Sequence, residues 1–160
     1  MVPTKKASLA TALKQTRPFV SLEQEVYLSL LRTTSELSHA VDQFFQPFGI
    51  TSSQYNVLRI LRGAGADGLC RNEISDRMVT ATPDMSRLLD RMEKAGWVTR
   101  ERAEEDRRQV FTYITKSGME LLAKLETPTN DFVMRLFAGA AVSDLKTVLK
   151  VNDRIRTKLP

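Results

Sequence analysis

Arg107 and Arg108 stand side by side, between an acidic run of Glu104, Glu105 and Asp106 and the alternating stretch of Val110, Phe111, Tyr113 and Ile114. A guanidinium carries a fixed planar charge. A pair of them at a hairpin tip suits a narrow groove in which phosphates concentrate negative potential. Asp106 beside them can hold one arginine extended through a charge-assisted hydrogen bond. Farther back, Ser86, Arg87, Asp90 and Arg91 share the polar side of an apolar-striped segment. There Ser86 and Arg87 can read base edges, whereas Asp90 and Arg91 suit an internal pair or a phosphate clamp. Thr82 and Asp84 precede them. Asp84 repels phosphate but can accept from cytosine N4. Arg100 and Arg102 alternate along one side of a strand, which suits phosphate contact or a charged edge that discourages aggregation. Ser52, Ser53, Arg71 and Asn72 open segments whose backbone N–H groups can meet phosphates. Solvated helix faces and hairpin tips are charged in many proteins, so these assignments depend on the elements that carry them.

Those elements follow from periodicity. Apolar residues recur at threes and fours from Leu22 to Phe48, which predicts a long amphipathic helix stopped by Pro47 and Gly49. Thr51 and Gln54 form a capping box for the next helix, whose inner face is Val57, Leu58 and Leu61. A short helix, RNEISDRM, is followed by the tight connection VTAT. A second helix is expected from Pro83, capped by Thr82 and stopped at Gly96, burying Met85, Leu88, Leu89 and Met92. Two helices so joined make a helix-turn-helix. WVTRER and QVFTYIT alternate by twos around AEEDRR and predict a hairpin. Thr115 caps the helix after it, and Pro128 is expected to kink or break that helix. Ser143 is the expected cap of a last helix carrying an apolar stripe from Leu145 to Leu159.

The fold class is therefore mainly α (α+β). A winged helix-turn-helix over 51–115 has a two-stranded wing and is flanked by helices over 22–48 and 116–160. The basic stretch 1–21 reads as an arm, and 22–160 as a single domain. The chain has 160 residues and a net charge of +5, from 24 basic against 19 acidic residues. This balance is compatible with a nucleic-acid partner without requiring one. Charge is unevenly spread: the arm holds Lys5, Lys6, Lys14 and Arg17 and no acid. No stretch has the length or apolarity of a membrane span or signal-peptide core, which points to a cytoplasmic protein with no membrane partner. One cysteine, Cys70, excludes an internal disulfide and a multi-cysteine zinc site; His39, the one histidine, has no partner ligand nearby. No metal site, cofactor or catalytic constellation is expected, because no phosphate loop, metal spacing or nucleophile motif occurs.

ITSSQYNVLRIL and the run from Ser86 to Gly118, with its DRR and TKSG, resemble the MarR family of bacterial transcription regulators. The resemblance covers roughly Leu22 to the C-terminus. It implies a homodimer with intertwined terminal helices, a pseudo-palindromic double-stranded DNA operator, and usually repression. It further implies that Arg108 probes the minor groove while Asp106 orients it. Pro83 and Asp84 depart from the small hydroxyl residues usual there. Peroxide-sensing members place a reactive cysteine near the start of the first long helix, where this chain has none, so Cys70 is read as buried or idle. The resemblance also implies a small, commonly aromatic, effector held between dimer helices and winged domain. His39, Phe45 and Tyr55 would lie near it, with Arg59 or Arg32 as anion partner; simple core packing of Phe45 and Tyr55 is the competing reading. Two other classes remain open: a winged-helix module that contacts only proteins, and a small enzyme.

Overall fold

The computed structural model describes residues 8–102 and 109–159. Contacts divide the chain into two units, Met1–Asn56 and Val57–Pro160. The first holds a short helix α1 (Leu9–Ala12) and the long α2 (Leu22–Phe45). Ser21 caps α2 by accepting from the Gln24 N–H at 3.2 Å. The helix ends three residues before the expected stop, because Pro47 and the left-handed Gly49 tighten Gln46–Phe48 into a 3-10 turn. Within this unit Phe45 is buried, its ring 4.8 Å from Tyr55 and 4.9 Å from Phe44. The expected capping box opens α3 (Ser52–Ala64): Gln54 N–H donates to Thr51 Oγ1 and Thr51 N–H to Gln54 Oε1, at 3.2 and 2.9 Å.

The second unit runs β1 (Leu69–Cys70), α4 (Arg71–Arg77), α5 (Met85–Lys94), β2 (Val98–Arg102), β3 (Val110–Ile114), α6 (Lys116–Leu136) and α7 (Val142–Arg156). The expected hairpin is present as β2 and β3, paired antiparallel with Arg100 opposite Thr112 and Arg102 opposite Val110. A third strand was not expected. β1 pairs with the other edge of β3, Leu69 opposite Thr112, so the order is β1-β3-β2. Two residues are too short a run to show alternation, and only the tertiary pairing reveals them.

Under the sheet, Leu58, Leu61, Ile74, Met92, Leu122 and Leu125 are fully buried. α5 presents Met85, Leu88, Leu89 and Met92 to this core at helical spacing. Gly96, at φ 76°, ends α5: its N–H reaches Glu93 C=O, and Trp97 N–H reaches Met92 C=O. Those two bonds make a Schellman stop. Thr115 then caps α6, accepting from Gly118 N–H at 3.1 Å and donating to Gly96 C=O at 2.7 Å.

Three expected helix boundaries are corrected. Asp84, not Thr82, caps α5, so Pro83 lies before the helix instead of inside it. Both residues can cap, but a carboxylate accepts the third backbone N–H more strongly than a hydroxyl does. Pro128 sits inside an unbroken α6. The helix is long enough to lose one bond there while Leu122 and Leu125 anchor its first half in the core. Ala141, not Ser143, precedes α7, and the Ser143 carbonyl accepts from Thr147 Oγ1 instead.

A Cβ at Gly118 would collide with the Trp97 carbonyl oxygen, whereas one at Gly63 in α3 meets nothing within 4 Å. Gly118→Ala should therefore lower stability by about 1–3 kcal/mol. Gly63→Ala should be neutral or raise it by up to about 1 kcal/mol. Urea denaturation of the two variants checks this; equal effects would contradict the close helix-to-turn packing.

Candidate nucleic-acid interface

α5 is amphipathic, and the side opposite its buried stripe is solvent-facing. Ser86 and Arg87, the expected base readers, and Arg91, expected in an internal pair or a phosphate clamp, are all exposed there. Asp84 contributes both carboxylate oxygens locally. Its Oδ1 accepts from Arg87 N–H at 3.0 Å, and its Oδ2 lies 3.1 Å from Arg87 Nε. Thr82, half-buried in the preceding turn, is not on the exposed face with them.

The N-terminus of α4 adjoins this face. Arg71 Nη1 makes a long 3.5 Å contact with Ser86 Oγ, and Arg71 Nη2 donates to Asn72 Oδ1 at 3.2 Å. Together Arg71, Asn72, Ser86 and Arg100 line a hollow of about 460 Å³ between α4, α5 and the sheet. Cys70 precedes them, half-buried, and its N–H donates to Glu73 Oε2 at 2.8 Å. That backbone bond, followed by contact with the Cys70 side chain, holds the Glu73 carboxyl below its usual range. Its contribution to stability is thus in place above the ordinary carboxylate pKa and lost as pH falls through the lowered one.

Arg100 is where the structure departs most from the expected phosphate contact. Its Nε and Nη2 donate to Glu93 Oε2 at 2.9 and 2.5 Å, and Nη2 lies 2.7 Å from Asp90 Oδ1. The Glu93 hydrogen bond, partly opposed by burial and aided by Asp90, raises the Arg100 pKa. Its side chain is 27% exposed. Two carboxylates thus neutralise this cation, and it ties β2 to α5. Asp90 belongs to this clamp; Arg91, the residue paired with it in the sequence analysis, stays exposed. Arg102, two residues on, is exposed at the end of β2. Neither the clamp nor β1 is visible in spacing alone, since Glu93 and Arg100 are brought together by the turn at Gly96.

Asp106, Arg107 and Arg108 lie outside the described residues, and β2 and β3 flank that segment. In the first unit Ser52 Oγ donates to Asp42 Oδ1 at 2.9 Å, so its hydroxyl is engaged. Arg32 pairs with Glu36 at 2.8 Å, and His39 Nε2 lies 3.0 Å from Gln43 Nε2 on the exposed side of α2. Phe45 is core in that unit, Tyr55 packs on it half-buried, and Arg59 is exposed. Among the described residues no cluster of His, Cys, Asp and Glu could hold a metal, and no helix is long and apolar enough to cross a membrane.

Two helices joined by a turn, flanked by a three-stranded sheet whose last two strands pair antiparallel, define a winged helix-turn-helix protein. Residues 48–109 match the model described as MarR family. The chain is 30% identical over 125 residues to the HTH-type transcriptional regulator PapX of Escherichia coli, covering 78% of this chain and 76% of that one. A MarR transcription factor from Planctomyces limnophilus is 34% identical, with a TM-score of 0.66 over 85% of this chain and 98% of that chain. Sco3205, a MarR family regulator from Streptomyces coelicolor solved in complex with DNA, shares the fold at a TM-score of 0.78 and 22% identity, over 89% and 91% of the two chains. This chain belongs to the MarR family of winged helix-turn-helix transcription regulators.

A double-mutant cycle on Arg100→Gln and Glu93→Gln should give a coupling of about 1 kcal/mol in folding stability. Additive effects would mean that the clamp does not hold β2 to α5.

Proposed function

We propose that this protein is a cytoplasmic, homodimeric, sequence-specific DNA-binding repressor, with α5 lying in the major groove and the hairpin reaching the flanking minor groove. The observation that carries the reading is the split character of α5. Four apolar side chains are locked in the core, while Ser86, Arg87 and Arg91 project from its other side on a rigid element. Such a helix can enter a groove without rearranging. Sco3205 bound to DNA supports the choice of partner. Arg71 and Asn72 at the start of α4 would contact phosphate, as would the exposed Arg102. Arg107 and Arg108 at the hairpin tip would meet the minor groove, with Asp106 holding Arg108.

Dimerisation is supported by exposed apolar surface. On α7 Val148 and Leu149 are 52 and 62% exposed, Leu159 beyond its end is 63% exposed, and on α2 Tyr27 and Leu31 are 58 and 52% exposed. Surface of that kind on terminal helices calls for a partner, and a second copy gives a two-fold site for a pseudo-palindrome. Occupying two half-sites keeps other proteins off that stretch, which favours repression. A small aromatic effector would release DNA by preferring a conformer whose recognition helices are wrongly spaced; His39, Tyr55, Arg32 and Arg59 remain the residues proposed to meet it.

Four outcomes test the reading. Duplex binding should weaken steeply with salt, and Arg87→Ala should cost about 1–3 kcal/mol while relaxing preference at particular base pairs. Arg108→Ala should instead weaken binding across sequences and make the salt slope shallower by about one. Binding by both variants that matches the parent would exclude α5 and the wing. In sedimentation equilibrium at micromolar concentration the protein should be a dimer; a stable folded monomer would remove the two-fold operator.

A further inference from the structure

We propose that Asp84 is a specificity-determining residue: it positions Arg87 so that α5 demands guanine at one base pair of each half-site. The inference rests on the DNA-binding reading above and deepens it. Asp84 is the N-cap of α5, and its two oxygens do different work. Oδ1 accepts the Arg87 backbone N–H at 3.0 Å, while Oδ2 meets Arg87 Nε at 3.1 Å. The backbone bond fixes the carboxylate, and the carboxylate in turn fixes the side chain three residues on. The ion pair takes the Nε side of the guanidinium. Its terminal nitrogens have no ion-pair or hydrogen-bond partner among the described residues, and the side chain is 79% exposed. Two parallel N–H donors held at that edge match the O6 and N7 acceptors of guanine.

An exposed ion pair adds little to folding stability, so the consequence of this one lies in orientation. A free arginine has many rotamers and is drawn to phosphate wherever phosphate lies. Arg91, also exposed on α5, has no acidic partner among the described residues and is free in that way. Arg87 is not. Tethered to a carboxylate that phosphates repel, it is kept off the backbone and aimed at base edges. Adenine offers N6–H₂ where guanine offers O6, and a pinned guanidinium has no acceptor to present to it. Docking removes water from the pair and strengthens it, so the constraint tightens where discrimination is needed.

Serine is also among the preferred N-caps, so Asp84→Ser keeps a capped helix start while removing the carboxylate that tethers Arg87 and repels phosphate. Bound sequences are first selected with the parent protein from a duplex pool randomised over about 25 base pairs, enough for two half-sites. Parent and Asp84→Ser are then titrated with the selected duplex, with copies carrying 7-deazaguanine at each selected guanine in turn, and with random-sequence duplex. The parent should lose about tenfold in affinity when N7 is removed at one guanine per half-site. In Asp84→Ser that loss should shrink to about twofold, and affinity for random duplex should rise with a steeper salt slope. If Asp84→Ser keeps the parent's guanine penalty in full, Asp84 is only a cap and the proposal fails. If the parent enriches no sequence at all, the DNA-binding reading fails instead.

Discussion

The antiparallel pairing of β3 on both its edges is the constraint from which the helix-turn-helix takes its geometry. β1 runs without a break into α4, and β2 follows α5 after the Gly96 stop. Both helices therefore hang from one central strand. Thr112, buried at the middle of β3, stands opposite Leu69 on one side and Arg100 on the other. Arg100 then reaches from that rung to Glu93 and Asp90, fixing α5 by side chain as well as by chain connection. The same strand leads into Thr115, whose hydroxyl joins the start of α6 to the turn that ends α5. A one-residue slip of β3 would turn Thr112 outward and break all of these links together.

Charge on this scaffold is graded by what holds it. Arg100 is neutralised by two acids and serves the fold. Arg87 is half committed, with Nε engaged and its far edge open. Arg91 and Arg102 are exposed. Under the proposed DNA-binding reading, a duplex would meet one arginine that reads bases and others that screen phosphate. The net charge of +5 says nothing of this division.

What was legible in the sequence was local. The Thr51–Gln54 box, the Gly96 stop and the Thr115 cap each need only residues within a turn or so of one another, and each is present. The buried stripe of α5 followed from its 3.6-residue period. What failed required a choice between local options or a distant partner. Thr82 and Asp84 compete to cap the same helix, and the decision falls to the stronger acceptor. Pro128 looked like a break because the burial of Leu122 and Leu125 in the same helix cannot be weighed from the letters alone. β1 and the Arg100 clamp exist only once the chain has folded back on itself. Of the candidate site, residue type and helix position propose Ser86, Arg87, Arg71 and Asn72; Arg71 and Asn72 line one hollow with Ser86, and Arg87 is exposed next to Ser86 on α5. Arg100 was assigned by alternation, which gives its side of the strand correctly but not the acids waiting there.

In the proposed complex α5 enters the major groove, once in each half of a two-fold assembly. Dimethyl sulfate protection reports it most directly, because the reagent methylates guanine N7 in the major groove and adenine N3 in the minor groove. On a duplex selected by this protein, guanine N7 should be protected in two patches about one helical turn, roughly 10–10.5 base pairs, apart. Protection confined to adenine N3, or a single unpaired patch of guanines, would contradict it.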